Sequence, residues 1–164
     1  MMRHHFFIAL SSLLLALPMA ARAELAVQQM DVRIPVAVPA AGASPAHTAE
    51  LAGHIYRPQA AGPWGLVVLS HGTPSGKEAR EALTERYAPQ ARAIAALGYV
   101  VVTGLRRGYG ASDGPLADRY GRCETPDYIH AAQEAARDVA AIMVYGQKLP
   151  DVDAAKVVLL GKSA

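Results

Sequence analysis

Cysteine is almost missing from these 164 residues, with Cys123 the only one. No internal disulfide can form, and one thiol cannot build a zinc cluster. Cys123 lies in a polar stretch and reads as an incidental free thiol. An excess of one charge is missing too. The 16 basic and 14 acidic residues leave a formal charge of +2, and no basic stripe is interleaved with aromatics, which removes nucleic acid from the expected partners. No apolar run reaches the ~20 residues that a membrane-spanning helix needs. Internal repeats and low-complexity tracts are absent apart from alanine-rich helical stretches, and nothing in the sequence asks for a metal or a cofactor.

What is present begins with an address. Met1 to Ala23 has the parts of a secretory signal: Arg3 supplies the positive start, Phe6 to Leu17 the apolar stretch, and Ala21-Arg22-Ala23 an A-x-A cleavage site. The alternative, a single membrane anchor, is disfavoured because the apolar stretch is short. Export to a periplasmic or secreted location is expected, with no stable membrane span after cleavage. Residues 1–23 are then the signal and residues 24–164 one domain. Removing Arg3 and Arg22 takes the basic residues from 16 to 14, equal to the 14 acidic ones, so the net positive charge belongs to the signal.

The mature part opens with Leu25 to Val38, whose apolar residues fall mostly at even positions and which Pro35 interrupts, the pattern of an edge strand with one face buried. A loop of small residues, Pro39 to Thr48, leads to a returning strand over Leu51 to Arg57, closed by Pro58. From Leu66 the pattern changes. Leu66 to Leu69, Tyr99 to Val102 and Val157 to Leu160 are short solid apolar runs separated by helix-length segments, which suits parallel strands covered on both faces. The first intervening helix is predicted over Tyr87 to Leu97, with Pro89 in its first turn, Ile94 and Leu97 facing the sheet and Gly98 as its stop. In the second, Thr125 caps, Pro126 takes the first position, Ile129, Ala132, Ala136, Val139 and Met143 keep helical spacing, and Gly146 ends it.

Each parallel strand ends in its own signature: Ser70-His71-Gly72-Thr73, then Arg106-Arg107-Gly108-Tyr109-Gly110-Ala111-Ser112-Asp113-Gly114, then Gly161-Lys162-Ser163-Ala164. All three are expected along the carboxyl edge of the sheet, where open α/β sheets bind ligands. Gly161 to Ala164 is four-fifths of G-x-S-x-G, a sharp strand-to-helix turn that lifts a serine above the sheet. With H-G and R-G-x-G-x-S-D-G ahead of it, the segment Leu66 to Ala164 resembles an α/β-hydrolase of the dienelactone-hydrolase or secreted-esterase kind. The fold implied is the amino-terminal part of an α/β-hydrolase sheet, antiparallel strands first and then parallel strands with flanking helices, broken off after the strand that carries the nucleophile.

By that resemblance Ser163 is the nucleophile, and the backbone N–H groups of Thr73 and Ala164 are the oxyanion donors. His71, Arg106 and Lys162 line the site. The implied substrate is a small-molecule ester or a short peptide. Cysteine-nucleophile members of the family have Cys where this chain has Ser163, so a serine esterase or peptidase fits better than dienelactone chemistry. In the family the acid and histidine of the triad follow the serine, whereas here only Ala164 does, and the chain alone is expected to lack most serine-dependent turnover. Of His47, His54, His71 and His130, only His71 is expected near Ser163, at a position that shapes a loop. Arg106 and Arg107 could anchor a substrate carboxylate. The stronger expectation is that such an arginine pairs with an acid such as Asp113 and holds its loop.

Two rivals complete the reading. A non-catalytic secreted fragment could bind a small ligand, or another chain through the bare edge of its last strand. A nucleotide-binding P-loop, G-x-x-x-x-G-K-S/T, would need its first glycine where Lys156 stands and an open cradle where Val157 to Leu160 prefer a sheet. His71 to Lys77, H-G-T-P-S-G-K, fails the same pattern, because only three residues separate Gly72 from Gly76.

Overall fold

The structure is a computed structural model that describes residues 24–162. The signal assigned to 1–23, and Ser163 and Ala164 at the other end, lie outside the described residues. In chain order the elements are β1 (Val27–Val38), β2 (His47–Pro58), β3 (Trp64–Ser70), α1 (Lys77–Glu81), α2 (Ala88–Ala96), β4 (Tyr99–Gly104), β5 (Gly121–Arg122), β6 (Thr125–Pro126), α3 (Tyr128–Gln147) and β7 (Val152–Gly161). Five strands form one sheet in the order β1-β2-β4-β3-β7, and β5 with β6 makes a small separate hairpin. The first pairings, β1 with β2 and β2 with β4, are antiparallel, and β3 is parallel to both β4 and β7. This is the predicted mixed sheet, an antiparallel opening followed by parallel strands.

The solid apolar runs of β3 and β4 follow from a core on each face of the sheet. Leu66, Val68, Val100 and Val102 point to one side, where they meet Ile34, Leu51, Ile55 and Ile142 of α3. Val67, Leu69 and Val101 point to the other and meet Tyr56 and the α2 residues Ala91 and Ala95. β1 needs only one buried face, through Ile34 and Val36, and as the edge strand it tolerates Pro35.

Three expectations about these elements are corrected. Leu97 does not face the sheet but is 57% exposed. The buried stripe of α2 is set by Ala91 and Ala95, and a residue two positions past Ala95 lies about 200° round the helix from it. In α3 the cap is Asp127, whose carboxylate accepts the His130 N–H at 2.9 Å, while Thr125 and Pro126 are used by the β5–β6 hairpin. Its buried face is Asp138, Ile142 and Gly146, at spacings of four, rather than the stripe begun by Ile129, which is 74% exposed. Gly146 does not end the helix. It seats the helix on the sheet, because a Cβ there would lie 2.8 Å from Leu66 and 3.3 Å from Val102. The third correction concerns the cover of β7, expected on both faces, whereas its bare edge is as expected. Among the described residues β7 is an edge, paired only with β3, and Val158, Leu159 and Leu160 are 46%, 54% and 43% exposed. Of Val157 to Leu160, only Val157 packs on the core.

Candidate functional site

Register brings the three signatures together. Ser70 of β3 stands opposite Gly104 of β4 on one side and Gly161 of β7 on the other. One residue further, the Lys162 N–H donates to the Ser70 carbonyl at 3.3 Å. The Lys162 side chain is exposed. Three strand ends therefore share one rim, and Gly161-Lys162 enters it beside Ser70-His71-Gly72-Thr73. Residues 157–160 are extended strand in parallel pairing with Leu66 to Leu69, so the P-loop alternative has no cradle here.

His71 is buried at this rim and both of its ring nitrogens are engaged. Nδ1 donates to the Gly72 carbonyl at 2.7 Å, and Nε2 accepts the Arg106 N–H at 3.0 Å. These partners fix the neutral tautomer with its proton on Nδ1. Burial and then the Arg106 guanidinium push its pKa down to about 4. Such a ring holds two loops together and has no lone pair to spare for a hydroxyl proton.

Arg106 is buried beneath the same loop. Its guanidinium donates to the Asp118 carboxylate at 2.9 Å, the His71 carbonyl at 2.5 Å, Ser70 Oγ at 3.3 Å and Thr73 Oγ1 at 3.5 Å, and it lies over the Tyr109 ring at 5.1 Å. The Tyr109 hydroxyl bridges Thr73 Oγ1 at 3.0 Å and both Asp118 oxygens at 3.0 and 3.1 Å, with its ring edge-on to His71. Burial, opposed by the Thr73 hydrogen bond, raises the pKa of that hydroxyl, so it stays protonated and can donate to the carboxylate. The whole set clamps the 70–73 turn and so fixes the backbone of Thr73. Among the described residues no acceptor within hydrogen-bond reach is found for the Thr73 N–H.

The arginine expectation is half right. Arg106 does hold its loop, but through Asp118 and not Asp113. Asp113 instead accepts the Glu50 N–H at 3.0 Å and ties the glycine-rich turn to β2. Arg107 turns to the other side. Its N–H and Nε reach the Asp138 carboxylate at 2.8 and 2.6 Å, and Nη2 reaches Glu134 at 2.7 Å, bolting the end of β4 to α3. Burial opposes the charge on Arg107, but the bonds to Glu134 and Asp138 outweigh it and the pKa is raised. Both arginines are spent on the protein.

Sequence reading overlooked Tyr109, Ser112, Asp118 and Asp138. Tyr109 and Ser112 stand inside the R-G-Y-G-A-S motif, where their letters were the available signal. The Ser112 hydroxyl donates to the Leu105 carbonyl at 2.6 Å and accepts the Ala52 N–H at 2.9 Å, joining the turn to β2. Asp118 and Asp138 carry no local signal. Of the other histidines, His47 and His130 are exposed, and the His54 ring nitrogens face Asp31 at 3.4 Å and Glu85 at 3.3 Å. A cleft of about 580 Å³ opens beside Thr73, lined also by Gly76, Arg80, Leu116, Asp118 and Arg119. No metal-binding group of three or more His, Cys, Asp or Glu is found among the described residues, nor a helix long and apolar enough to cross a membrane.

No family model matches the sequence, and no curated protein does. Solved structures do share the fold. The chain is similar to an acetyl xylan esterase from Paenibacillus sp. R4 at 14% identity and a TM-score of 0.52, over 84% of this chain and 46% of that one. It is similar to the esterase Est22 at 15% identity and a TM-score of 0.51, over 82% and 35%. A thermostable carboxylesterase cloned from a metagenomic library gives 20% identity and a TM-score of 0.50, over 88% and 40%. The chain spans less than half the length of each of these three proteins. At these identities the likeness is one of fold: the chain has the opening, amino-terminal strands and helices of an α/β-hydrolase sheet.

Proposed function

We propose that this chain carries the nucleophile-bearing part of an exported serine hydrolase that cleaves carboxylic esters, with amides as the lesser substrates. One observation carries the proposal. β7 ends in parallel register with β3, and the Lys162 N–H meets the Ser70 carbonyl, so the G-K-S step starts beside the clamped turn that holds Thr73. In the proposed reaction Ser163 Oγ attacks the ester carbonyl carbon. The carbonyl oxygen takes the negative charge within reach of the Thr73 and Ala164 N–H groups, and the C–O bond to the alcohol then breaks to leave an acyl-enzyme that water hydrolyses.

The serine proton needs a base, which afterwards protonates the leaving alcohol. His71 is excluded from that role by its two occupied nitrogens, and the proposal assigns it to none of His47, His54 and His130. Base and acid are placed outside residues 1–164, in keeping with a chain that covers 35% to 46% of similar esterases. The 164-residue chain alone is then expected to retain no more than the share of the acceleration due to binding and oxyanion donors, roughly 10³ to 10⁴ over water where a triad member is removed. Export by residues 1–23 belongs to the same proposal, and the exported protein should begin at Glu24.

A fluorophosphonate probe tests it. Labelling of the full-length gene product that disappears in Ser163→Ala is the expected result. If the wild-type protein takes no label, the enzyme assignment fails and a non-catalytic binding module using the exposed Val158 to Leu160 edge takes its place.

A further inference from the structure

Glu85 takes no part in the clamp at Thr73, yet its side chain is only 10% exposed and its carboxylate is fully engaged. It lies in the segment 82–87 between α1 and α2, which is neither helix nor strand. Along that segment Leu83 is buried while Thr84 and Arg86 are exposed, so Leu83 and Glu85 are the two side chains turned inward. Glu85 Oε1 accepts the Thr103 hydroxyl at 3.1 Å, Oε2 accepts the Tyr56 hydroxyl, and His54 Nδ1 stands 3.3 Å from Oε2. His54 and Tyr56 are two apart on β2 and share a face, and Thr103 of β4 is the residue opposite His54. One loop side chain is thus tied to two neighbouring strands. A carboxylate taken out of water costs free energy unless its oxygens are bonded, and a fully bonded one fixes a single arrangement where apolar packing would tolerate several.

The glycine-rich turn rests on the segment fixed in this way. Gly110 has a φ of +51°, and a Cβ there would lie 1.9 Å from the Leu83 carbonyl oxygen, so the two main chains meet with nothing between them. The Gly110 N–H also donates to the Arg80 carbonyl at 2.9 Å. Next to Gly110 stands Tyr109, whose hydroxyl holds Thr73 Oγ1 at 3.0 Å. Contacts therefore run from Glu85 through Leu83, Gly110 and Tyr109 to Thr73 without a gap. A second route is shorter. Thr103 precedes Gly104, which stands opposite Ser70, and a cavity of about 20 Å³ has both Glu85 and His71 in its lining.

We propose that Glu85 is a positioning residue for the oxyanion turn: its bonds to Tyr56, Thr103 and His54 set the segment 82–87, and through Gly110 and Tyr109 they set the direction of the Thr73 N–H. The inference rests on the function proposed above, in which that N–H meets the negative charge on the ester oxygen. The charge is largest in the transition state, so a misdirected N–H is felt there and hardly at all when the neutral ester binds. Loss of Glu85 then lowers kcat and leaves KM near its value. Glu85 itself touches no reacting atom in this account and acts only through the turn.

The test compares wild type, Glu85→Gln and Glu85→Ala in the full-length gene product, by steady-state hydrolysis of p-nitrophenyl acetate and by hydrogen–deuterium exchange of the peptides covering 70–76 and 105–114. Glu85→Ala is expected to lower kcat by at least about tenfold, short of the roughly 10²–10³ for loss of an oxyanion donor. KM should change by less than about twofold, and both peptides should exchange faster while the rest of the sheet keeps its protection. Glu85→Gln retains an acceptor for one hydroxyl and should recover most of kcat. Should Glu85→Ala fail to fold, Tyr56→Phe removes one donor to the same carboxylate and is expected to give a smaller change of the same kind. An unchanged kcat in a folded variant, a raised KM with kcat intact, protection lost evenly along the chain, or Glu85→Gln no better than Glu85→Ala would each overturn the proposal. A wild-type protein that neither hydrolyses ester nor takes fluorophosphonate would remove the enzyme reading, and exchange at 70–76 and 105–114 would still decide whether Glu85 holds the turn.

Discussion

Acidification from pH 7 should weaken the fold well before its carboxylates begin to titrate, and His71 is the reason. The native site holds the ring neutral, with its pKa pushed down from 6.5 to about 4 by burial and by Arg106. Between those two values the unfolded chain binds the proton and the folded chain does not. Stability is complete above about pH 6.5 and falls as the pH drops toward 4. The gap between 6.5 and about 4, at about 1.4 kcal/mol per pH unit, amounts to about 3 kcal/mol. About 2 kcal/mol of it is gone by pH 4.5, a large fraction of the 5–15 kcal/mol typical of a folded domain. Urea midpoints at pH 7, 6, 5 and 4.5 measure it directly. His71→Asn keeps a side-chain N–H that can donate to the Gly72 carbonyl and removes the titration. It should start from a lower stability at pH 7 and lose little more on the way to 4.5. A variant whose stability falls as steeply as the wild type's would refute the assignment, and so would a His71 imidazole resonance, identified by its loss in His71→Asn, that titrates near 6.5 in the folded protein.

Two further substitutions probe the rim. Asp118→Asn removes the carboxylate from beneath a buried guanidinium and should cost about 3–5 kcal/mol in urea denaturation, the usual penalty for leaving a buried cation without its partner. It should also abolish labelling of Ser163 in any full-length protein that still folds, since the Thr73 turn loses its clamp. Gly110→Ala combines a left-handed backbone with a main-chain collision at the Leu83 carbonyl, and a loss on the order of 3 kcal/mol is expected by thermal melting, against a few tenths for Ala at an ordinary exposed site.

Strands and their topology were legible because burial on both faces leaves an unbroken apolar run. Val100, Val101 and Val102 divide between the two cores as such a run requires. The rim was legible for a related reason: three strands that end in Ser-His-Gly-Thr, Arg-Arg-Gly and Gly-Lys-Ser are parallel neighbours, and parallel neighbours end together. Partners across loops were not legible. Asp113 stands in the motif and looked like the mate of Arg106, yet it caps Glu50, and Asp118 takes its place from outside the motif. Sequence distance does not decide which carboxylate reaches a buried cation once the chain has doubled back. The helix faces failed in a similar way. The α3 stripe read from Ile129 onward counted apolar letters, whereas the face that seats is led by a charged residue, Asp138, and a glycine, Gly146, chosen by Arg107 and by the closeness of the sheet.

The close main-chain approaches at Gly108 and Gly110, where a Cβ would lie 2.2 Å from the Leu116 nitrogen and 1.9 Å from the Leu83 carbonyl oxygen, have an evolutionary corollary. Where walls touch through main chain alone, their spacing is indifferent to which side chains they bear. Exposed side chains along the cleft can then drift among cationic, neutral and apolar residues while the strand-end rim stays where it is. The lining of such an architecture can be re-tuned one letter at a time, whereas either glycine admits no replacement that leaves the scaffold in place.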